Sequence, residues 1–390
     1  MTRRERSVDG RSLDLANVSD HHRVVWSGYL VPPETGLYRL GLAGFQTGSM
    51  TFEGQPLIDL KGVPWGSLPS LKTVRLEKGR RYPIEIAGVS ETGSAGVGLS
   101  WKRISEDPAA ALRETAANAD VLVAVVGLTS DLEAEESPVR IPGFAGGDKT
   151  TLDIPSDQQA MLEVAAALDK PLVMVAMNGS PINLAWAKDK ANAILEAWYP
   201  GQAGGLAIAN VLSGKANPSG RLPLTFYRSV DQLPPFDDYR MAGRTYRYYR
   251  GETVYPFGHG LSYTSFSYGA LTITPTSGDA GNGIRVEAEL RNAGDREGDE
   301  VAQLYLTFPD RPGVPNIALR GFQRVHLAAG ESQRVRFDLS PRDLSAVDPE
   351  GIRKVMTGKY RVFVGSGQPG TGAAVSSGGF DVKQSLELPR

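Results

Sequence analysis

At 390 residues, 41% hydrophobic and 22% charged, the chain is long enough for two or three separately cored soluble domains. A net charge of −2, with Lys and Arg spread along the sequence, leaves no electrostatic footprint for nucleic acid or for a membrane surface. The absence of cysteine removes disulfides, thiol nucleophiles and zinc-thiolate sites together, and leaves periplasm and cytosol both open. No run reaches the roughly 18 apolar residues of a membrane span. Residues 1–6 are charged but lead into Ser, Asp and Gly rather than an apolar stretch, so they do not read as a secretory signal. The compartment is thus left undetermined: cytoplasmic for the chain as it stands, periplasmic or secreted for a longer parent protein.

From Val24 to about Lys102 the pattern is of short alternating strands with Gly and Pro between them: Val24-Val25-Trp26-Ser27-Gly28-Tyr29-Leu30-Val31, Gly36-Leu37-Tyr38-Arg39-Leu40, Lys72-Thr73-Val74-Arg75-Leu76, Tyr82-Pro83-Ile84-Glu85-Ile86 and Val97-Gly98-Leu99-Ser100-Trp101. The order of these segments resembles a protective-antigen-type β-sandwich without its first strands. From Asp107 the texture becomes helix and strand in alternation. Residues 108–119 have helical spacing, and Asp120-Val121-Leu122-Val123-Ala124-Val125-Val126-Gly127 reads as a strand buried on both faces of a parallel sheet. Ser156 is placed to cap a helix running to about Leu168, and Leu172-Val173-Met174-Val175-Ala176-Met177 is the next buried strand. Residues 193–199 give a third strand and 202–212 a helix. Residues 217–268, rich in Pro, Gly and aromatics, read as a long ordered connection.

Beyond Leu271 the pattern returns to β, with strict alternation in Ile284-Arg285-Val286-Glu287-Ala288-Glu289-Leu290 and further strands around residues 301–306, 335–339 and 360–365, as in an immunoglobulin or fibronectin sandwich. The expected architecture is multidomain α/β plus β. A partial protective-antigen-type β module occupies 1–105, an α/β sandwich with a mainly parallel sheet 106–228, an ordered connecting segment 229–268 and a fibronectin type III-like β-sandwich 269–390.

The acidic cluster Asp131-Leu132-Glu133-Ala134-Glu135-Glu136 falls just beyond the strand ending at Gly127. In open α/β sheets ligands bind outside the carboxyl ends of the strands. Read from its residues alone, the cluster is more readily a solvated acidic loop than a site. The surrounding residues change that weighting. Gly127-Leu128 with Leu132-Glu133-Ala134-Glu135, Pro142-Gly143-Phe144-Ala145-Gly146-Gly147-Asp148-Lys149, Ile154-Pro155-Ser156-Asp157-Gln158-Gln159, Asn178-Gly179-Ser180-Pro181-Ile182, Ala197-Trp198-Tyr199-Pro200-Gly201-Gln202-Ala203-Gly204-Gly205, Asn217-Pro218-Ser219-Gly220-Arg221-Leu222-Pro223 and Tyr255-Pro256-Phe257-Gly258-His259-Gly260-Leu261-Ser262-Tyr263 follow one another in order. This series resembles the C-terminal part of glycoside hydrolase family 3, the β-glucosidases and β-xylosidases, and residues 292–305 and 319–322 resemble that family's terminal fibronectin-like domain.

The resemblance implies that Glu135, the second acid of the E-x-E loop, is the general acid/base, with Glu133 and Glu136 as near alternatives. A retaining glycosidase needs such a carboxyl group to protonate the leaving oxygen and then deprotonate water. Asp148 is expected to hold the loop through backbone hydrogen bonds. Lys149 departs from the usual arginine, keeping the charge and losing the bidentate fork. Trp198 and Tyr199, at a strand end beside the same sheet edge, are candidates to stack on a sugar ring, although strand-end aromatics more often serve a core. His259 lies in a Gly-rich turn with no partner visible in sequence, and four histidines offer no metal site. No cofactor is implied.

The family's nucleophile is an aspartate on a (β/α)₈ barrel, and about 120 residues of β pattern before the acidic loop leave no room for one. The resemblance therefore implies a chain that begins inside the inserted β module, lacks the nucleophile and is inactive alone. The partners it implies are a β-linked carbohydrate, a separate barrel-bearing chain, or further copies of itself in a homo-oligomer. The alternative is a non-catalytic carbohydrate-binding or interaction module.

Overall fold

The computed structural model describes residues 22–44, 46–63, 68–90, 97–133, 135–136 and 139–389. Residues 1–6, read above for the absence of a secretory signal, and Ala134 of the acidic cluster lie outside the described residues. The fold divides into two compact units, one of residues up to Ser180 with Ala187–Tyr199, the other of Pro181–Trp186 with Pro200–Arg390.

The first unit opens with seven antiparallel strands: β1 (His22–Leu30), β2 (Gly36–Gly44), β3 (Gln46–Phe52), β4 (Gln55–Val63), β5 (Ser70–Leu76), β6 (Tyr82–Ser90) and β7 (Val97–Ile104). They form two sheets, ordered β1-β6-β3-β4 and β5-β2-β7. Alternation sends Tyr38, Leu40 and Leu42 of β2 inward, where they meet Met50, Ile58 and Ile86 of the facing sheet in one buried cluster.

Helix α1 (Pro108–Ala116) begins the α/β part, with proline in its first turn and Asp107 at the N-cap accepting from the Ala110 amide at 2.9 Å. Then come β8 (Leu122–Gly127), the two-residue strands β9 (Arg140–Ile141), β10 (Phe144–Ala145) and β11 (Asp148–Lys149), α2 (Ser156–Ala166), β12 (Leu172–Met177), α3 (Ala185–Lys190) and β13 (Ala193–Glu196). β8, β12 and β13 form a parallel sheet ordered β13-β12-β8, with Met177 opposite Gly127 and Ala176 opposite Glu196. α2 packs on α1 and β8.

Three expectations are corrected here. β8 is not buried on both faces: Val123 and Val125 are 50% and 59% exposed. The strand pairs with β12 on one edge only, and this face lies open at β8 although Val175, the register partner of Val125 on β12, is fully buried. Ser156 does not cap α2 but is its first residue, because Pro155 takes the N-cap with φ −51° and ψ 138° and offers no side-chain acceptor. The third strand stops at Glu196 rather than Tyr199, because Trp198 has φ 54° and cannot continue an extended chain.

The second unit contains α4 (Gly204–Leu212), α5 (Thr245–Tyr248), β14 (Phe266–Tyr268), β15 (Thr272–Pro275), β16 (Ile284–Asn292), β17 (Gly298–Thr307), β18 (Ala318–Leu327), β19 (Ser332–Leu339), α6 (Pro341–Leu344), β20 (Ala346–Val347), β21 (Arg353–Val355), β22 (Gly358–Gly365), β23 (Val375–Val382) and β24 (Leu386–Glu387). The connection before β14 is ordered by its own pairing: Phe226 bridges Tyr255, and Asn217 accepts from Ser262 Oγ and the Tyr263 amide. The fibronectin-like sandwich sets β14, β15, β16 and β19 against the sheet β18-β17-β22-β23. Its core joins Ile284, Val286 and Leu290 to Leu304, Leu306, Val362 and Val364, all fully buried.

Candidate active site

The carboxyl ends of β8, β12 and β13 lie in register, so the segments leaving them share one edge of the parallel sheet. At the end of β8 the chain turns sharply through Gly127, φ 142°, where a Cβ would lie 1.8 Å from the Met177 carbonyl oxygen. Only glycine permits that crossing. The Gln158 side chain of α2 donates to the Gly127 carbonyl at 2.9 Å and accepts its amide at 2.7 Å, filling the backbone bonds that the strand edge leaves open. Leu132 N and Glu133 N then both donate to the Thr129 carbonyl, closing a turn that carries the acidic loop.

Glu133 is held by four donors. Its Oε2 accepts the Gly179 amide at 2.8 Å and the Tyr199 hydroxyl, and its Oε1 accepts the Ser180 amide at 2.9 Å and the Ser180 hydroxyl. Gly179 must be small here, since a Cβ would lie 2.6 Å from the Tyr199 ring and 3.1 Å from Glu133 Oε2. Burial alone would raise the Glu133 carboxyl, but the donors outweigh it and hold the group below the ordinary carboxylate value. Burial and the neighbouring Glu133 charge push the Tyr199 hydroxyl well up, so it stays a protonated donor.

Behind this carboxylate sit Lys149 of β11 and Glu196 of β13. Lys149 Nζ donates to Ser180 Oγ at 3.1 Å. Burial lowers its pKa, and the charges of Glu133 and Glu196 partly restore it. Glu196 is raised by burial to about 7, against the weaker pulls of the Trp198 amide, the Asn178 side chain and Lys149. Its Oε2 is buried without a hydrogen-bond partner among the described residues, as is Oδ1 of the fully buried Asn178.

Of the residues singled out in the sequence, Glu133, Lys149 and Tyr199 come together. Glu135 is exposed, two residues past the clamped Glu133, and makes no hydrogen bond or ion pair to another described residue. Glu136 is also exposed, with left-handed φ 49°. Trp198 is half-buried, and Tyr199 is 44% exposed with its hydroxyl committed to Glu133. Asp148 is exposed in β11, and His259 stacks on Tyr255 in the second unit at a ring separation of 4.9 Å. Among the described residues no group of three His, Asp or Glu side chains is placed to hold a metal, and no helix is long and apolar enough to cross a membrane. Sequence reasoning missed Glu196, Asn178 and Gln158. The signal for Glu196 was there: one acid in an otherwise apolar strand.

Residues 26–263 match the glycosyl hydrolase family 3 C-terminal domain, and residues 300–368 match a fibronectin type III-like domain. A xylan 1,4-β-xylosidase of Xylanibacter ruminicola is 35% identical over 308 residues, covering 77% of this chain and 35% of its own length. A periplasmic β-glucosidase of Salmonella typhimurium is 35% identical over 282 residues, covering 69% of this chain and 35% of its own. A crystal structure of a Kluyveromyces marxianus β-glucosidase in complex with glucose superposes with TM-score 0.77 at 28% identity, over 94% of this chain and 45% of that one. The chain thus spans less than half the length of these relatives.

Proposed function

Because the chain belongs to glycoside hydrolase family 3, we propose that it carries the proton-transferring half of a retaining β-glycosidase site, with Glu135 as general acid/base. The substrates are β-linked glucosides or xylosides, cleaved when a barrel-bearing polypeptide supplies the nucleophilic carboxylate that such a mechanism requires about 5 Å away. Glu135 would protonate the leaving oxygen as the glycosidic bond breaks and then take a proton from the water that attacks the glycosyl-enzyme.

The observation that carries this reading is the contrast within the loop. Glu133 has every lone pair engaged and is held ionised, so it is a poor proton donor, whereas Glu135 is exposed at the same sheet edge. The test is to assay the chain on aryl β-glucosides and β-xylosides, alone and mixed with a separately produced family 3 barrel. We expect no turnover from the chain alone, turnover from the mixture, and a loss of about 10²- to 10⁴-fold in the mixture with Glu135→Ala. Turnover indifferent to Glu135→Ala overturns the assignment. A second reading is a carbohydrate-binding module without turnover, with the Tyr199 ring, 44% exposed at the sheet edge, facing the sugar. Saturable binding of xylo- or cello-oligosaccharides without turnover by the mixture would support it.

A further inference from the structure

We infer that Glu133 is a positioning residue for Glu135: its carboxylate is a clamp that fixes the acidic loop at the sheet edge, and Lys149 sets the clamp through the Ser180 hydroxyl. The inference rests on Glu135 as the acid/base, and it assigns its neighbour and Lys149 a separate task.

The clamp is complete as hydrogen-bond chemistry. An ionised carboxylate offers about four acceptor sites, and Glu133 fills four, from the Gly179 amide, the Ser180 amide and hydroxyl, and the Tyr199 hydroxyl. Lys149 has donors only. By occupying Ser180 Oγ at 3.1 Å it takes an acceptor position there and leaves the Ser180 proton to point at Glu133 Oε1. Lys149, Ser180 and Glu133 therefore form a one-way donor chain running from β11 to the loop.

The clamp also has leverage over Glu135. Two residues of chain reach at most about 7 Å, so fixing Glu133 confines Glu135 to a small region outside the strand ends. The chain leading into Glu133 is held as well, through the Thr129 turn and the Gly127–Gln158 pair. Two local costs are accepted to build the clamp. Gly179 forgoes a side chain, and Trp198 holds left-handed backbone at φ 54° just before Tyr199. Non-glycine residues keep such conformations where the surroundings over-determine them, and these positions gather at functional sites.

The test has two arms on the full chain. Hydrogen exchange read on peptides covering residues 128–136 and 178–181 should accelerate about 10- to 100-fold in Glu133→Ala, less in the milder Tyr199→Phe, and not at all in Glu135→Ala. In the mixture with a barrel, Glu133→Gln should lower kcat at unchanged KM, more for poor leaving groups than for good ones, and added azide should not restore it. Azide should restore Glu135→Ala, whose missing carboxylate leaves room for an external nucleophile. Unchanged exchange in both Glu133→Ala and Tyr199→Phe overturns the clamp, and azide rescue of Glu133→Ala overturns it by making Glu133 the acid itself. If the loop opens in the Glu133 variant while Glu135→Ala leaves turnover intact, the clamp stands as the loop's anchor and the acid/base assignment falls.

Discussion

Two buried acids, one in each unit, show what burial does with and without a partner. Glu300 on β17 is fully buried, and Arg221 reaches it at 2.6 Å with a side chain itself 8% exposed, while the Tyr268 hydroxyl donates at 2.8 Å. Arg221 also donates to the carbonyls of Ser219, Gly220 and Ser366. Burial leaves the Glu300 carboxyl raised against the pull of Arg221 and Tyr268, and those two partners close the group off. Glu196 is raised by the same cause, but one of its oxygens is left buried and unpartnered among the described residues. The first arrangement is a fastening between the connecting segment and the sandwich. The second is a titratable group beside the candidate site, of the kind that marks functional clusters.

The comparison breaks first at Glu300. Glu300→Ala leaves the Arg221 guanidinium buried and unpaired, and removing one partner of such a pair costs about 3–5 kcal/mol. A urea titration of the chain followed by circular dichroism should show the midpoint fall accordingly; a loss below about 1 kcal/mol would mean that water replaces the pair. Glu196 should behave oppositely and depend on pH. Its folded pKa of about 7 stands above the ordinary 4.5, so the folded state binds the extra proton between those values. Stability from this group is therefore full below pH 4.5 and lost as pH rises through 7, by a ceiling of about 3 kcal/mol. Glu196→Gln, neutral at every pH, should flatten that slope and be the more stable protein above pH 7. Parallel slopes for the two proteins would show Glu196 to be ionised throughout.

The site was less legible in the sequence than the fold, and the residues explain why. Strand and helix order followed from periodicity, and the sandwich from the alternation of β16. Glu135 was reached through the resemblance of its E-x-E loop to that of family 3, which says nothing of which acid is tied down. That distinction comes from Gly179, Ser180 and Tyr199, 46 to 66 positions away and brought to Glu133 only by the parallel register. Gly179 states the dependence most sharply. Gly179→Ala drives a methyl into the Tyr199 ring and the Glu133 carboxylate, and should cost about 1–3 kcal/mol as overpacking does. Its loop should exchange faster while the sandwich of the second unit is untouched, which peptide-resolved hydrogen exchange separates.

The smallest effect tests the expectation that failed for β8. An apolar run says that a strand can be buried on both faces, not that both faces are covered, because the covering layer is a fact about the rest of the molecule. Val175 on β12 is fully buried, whereas Val125 on the neighbouring strand, its register partner, is 59% exposed. Valine and threonine have nearly the same shape, so the same exchange at both positions isolates the cost of burying a hydroxyl. Val175→Thr should lose about 1–3 kcal/mol, and Val125→Thr should stay within about 0.5 kcal/mol, as surface changes do. Equal losses at the two positions would mean that something covers the β8 face in solution, and a mass by light scattering above that of one chain would identify it as a second copy.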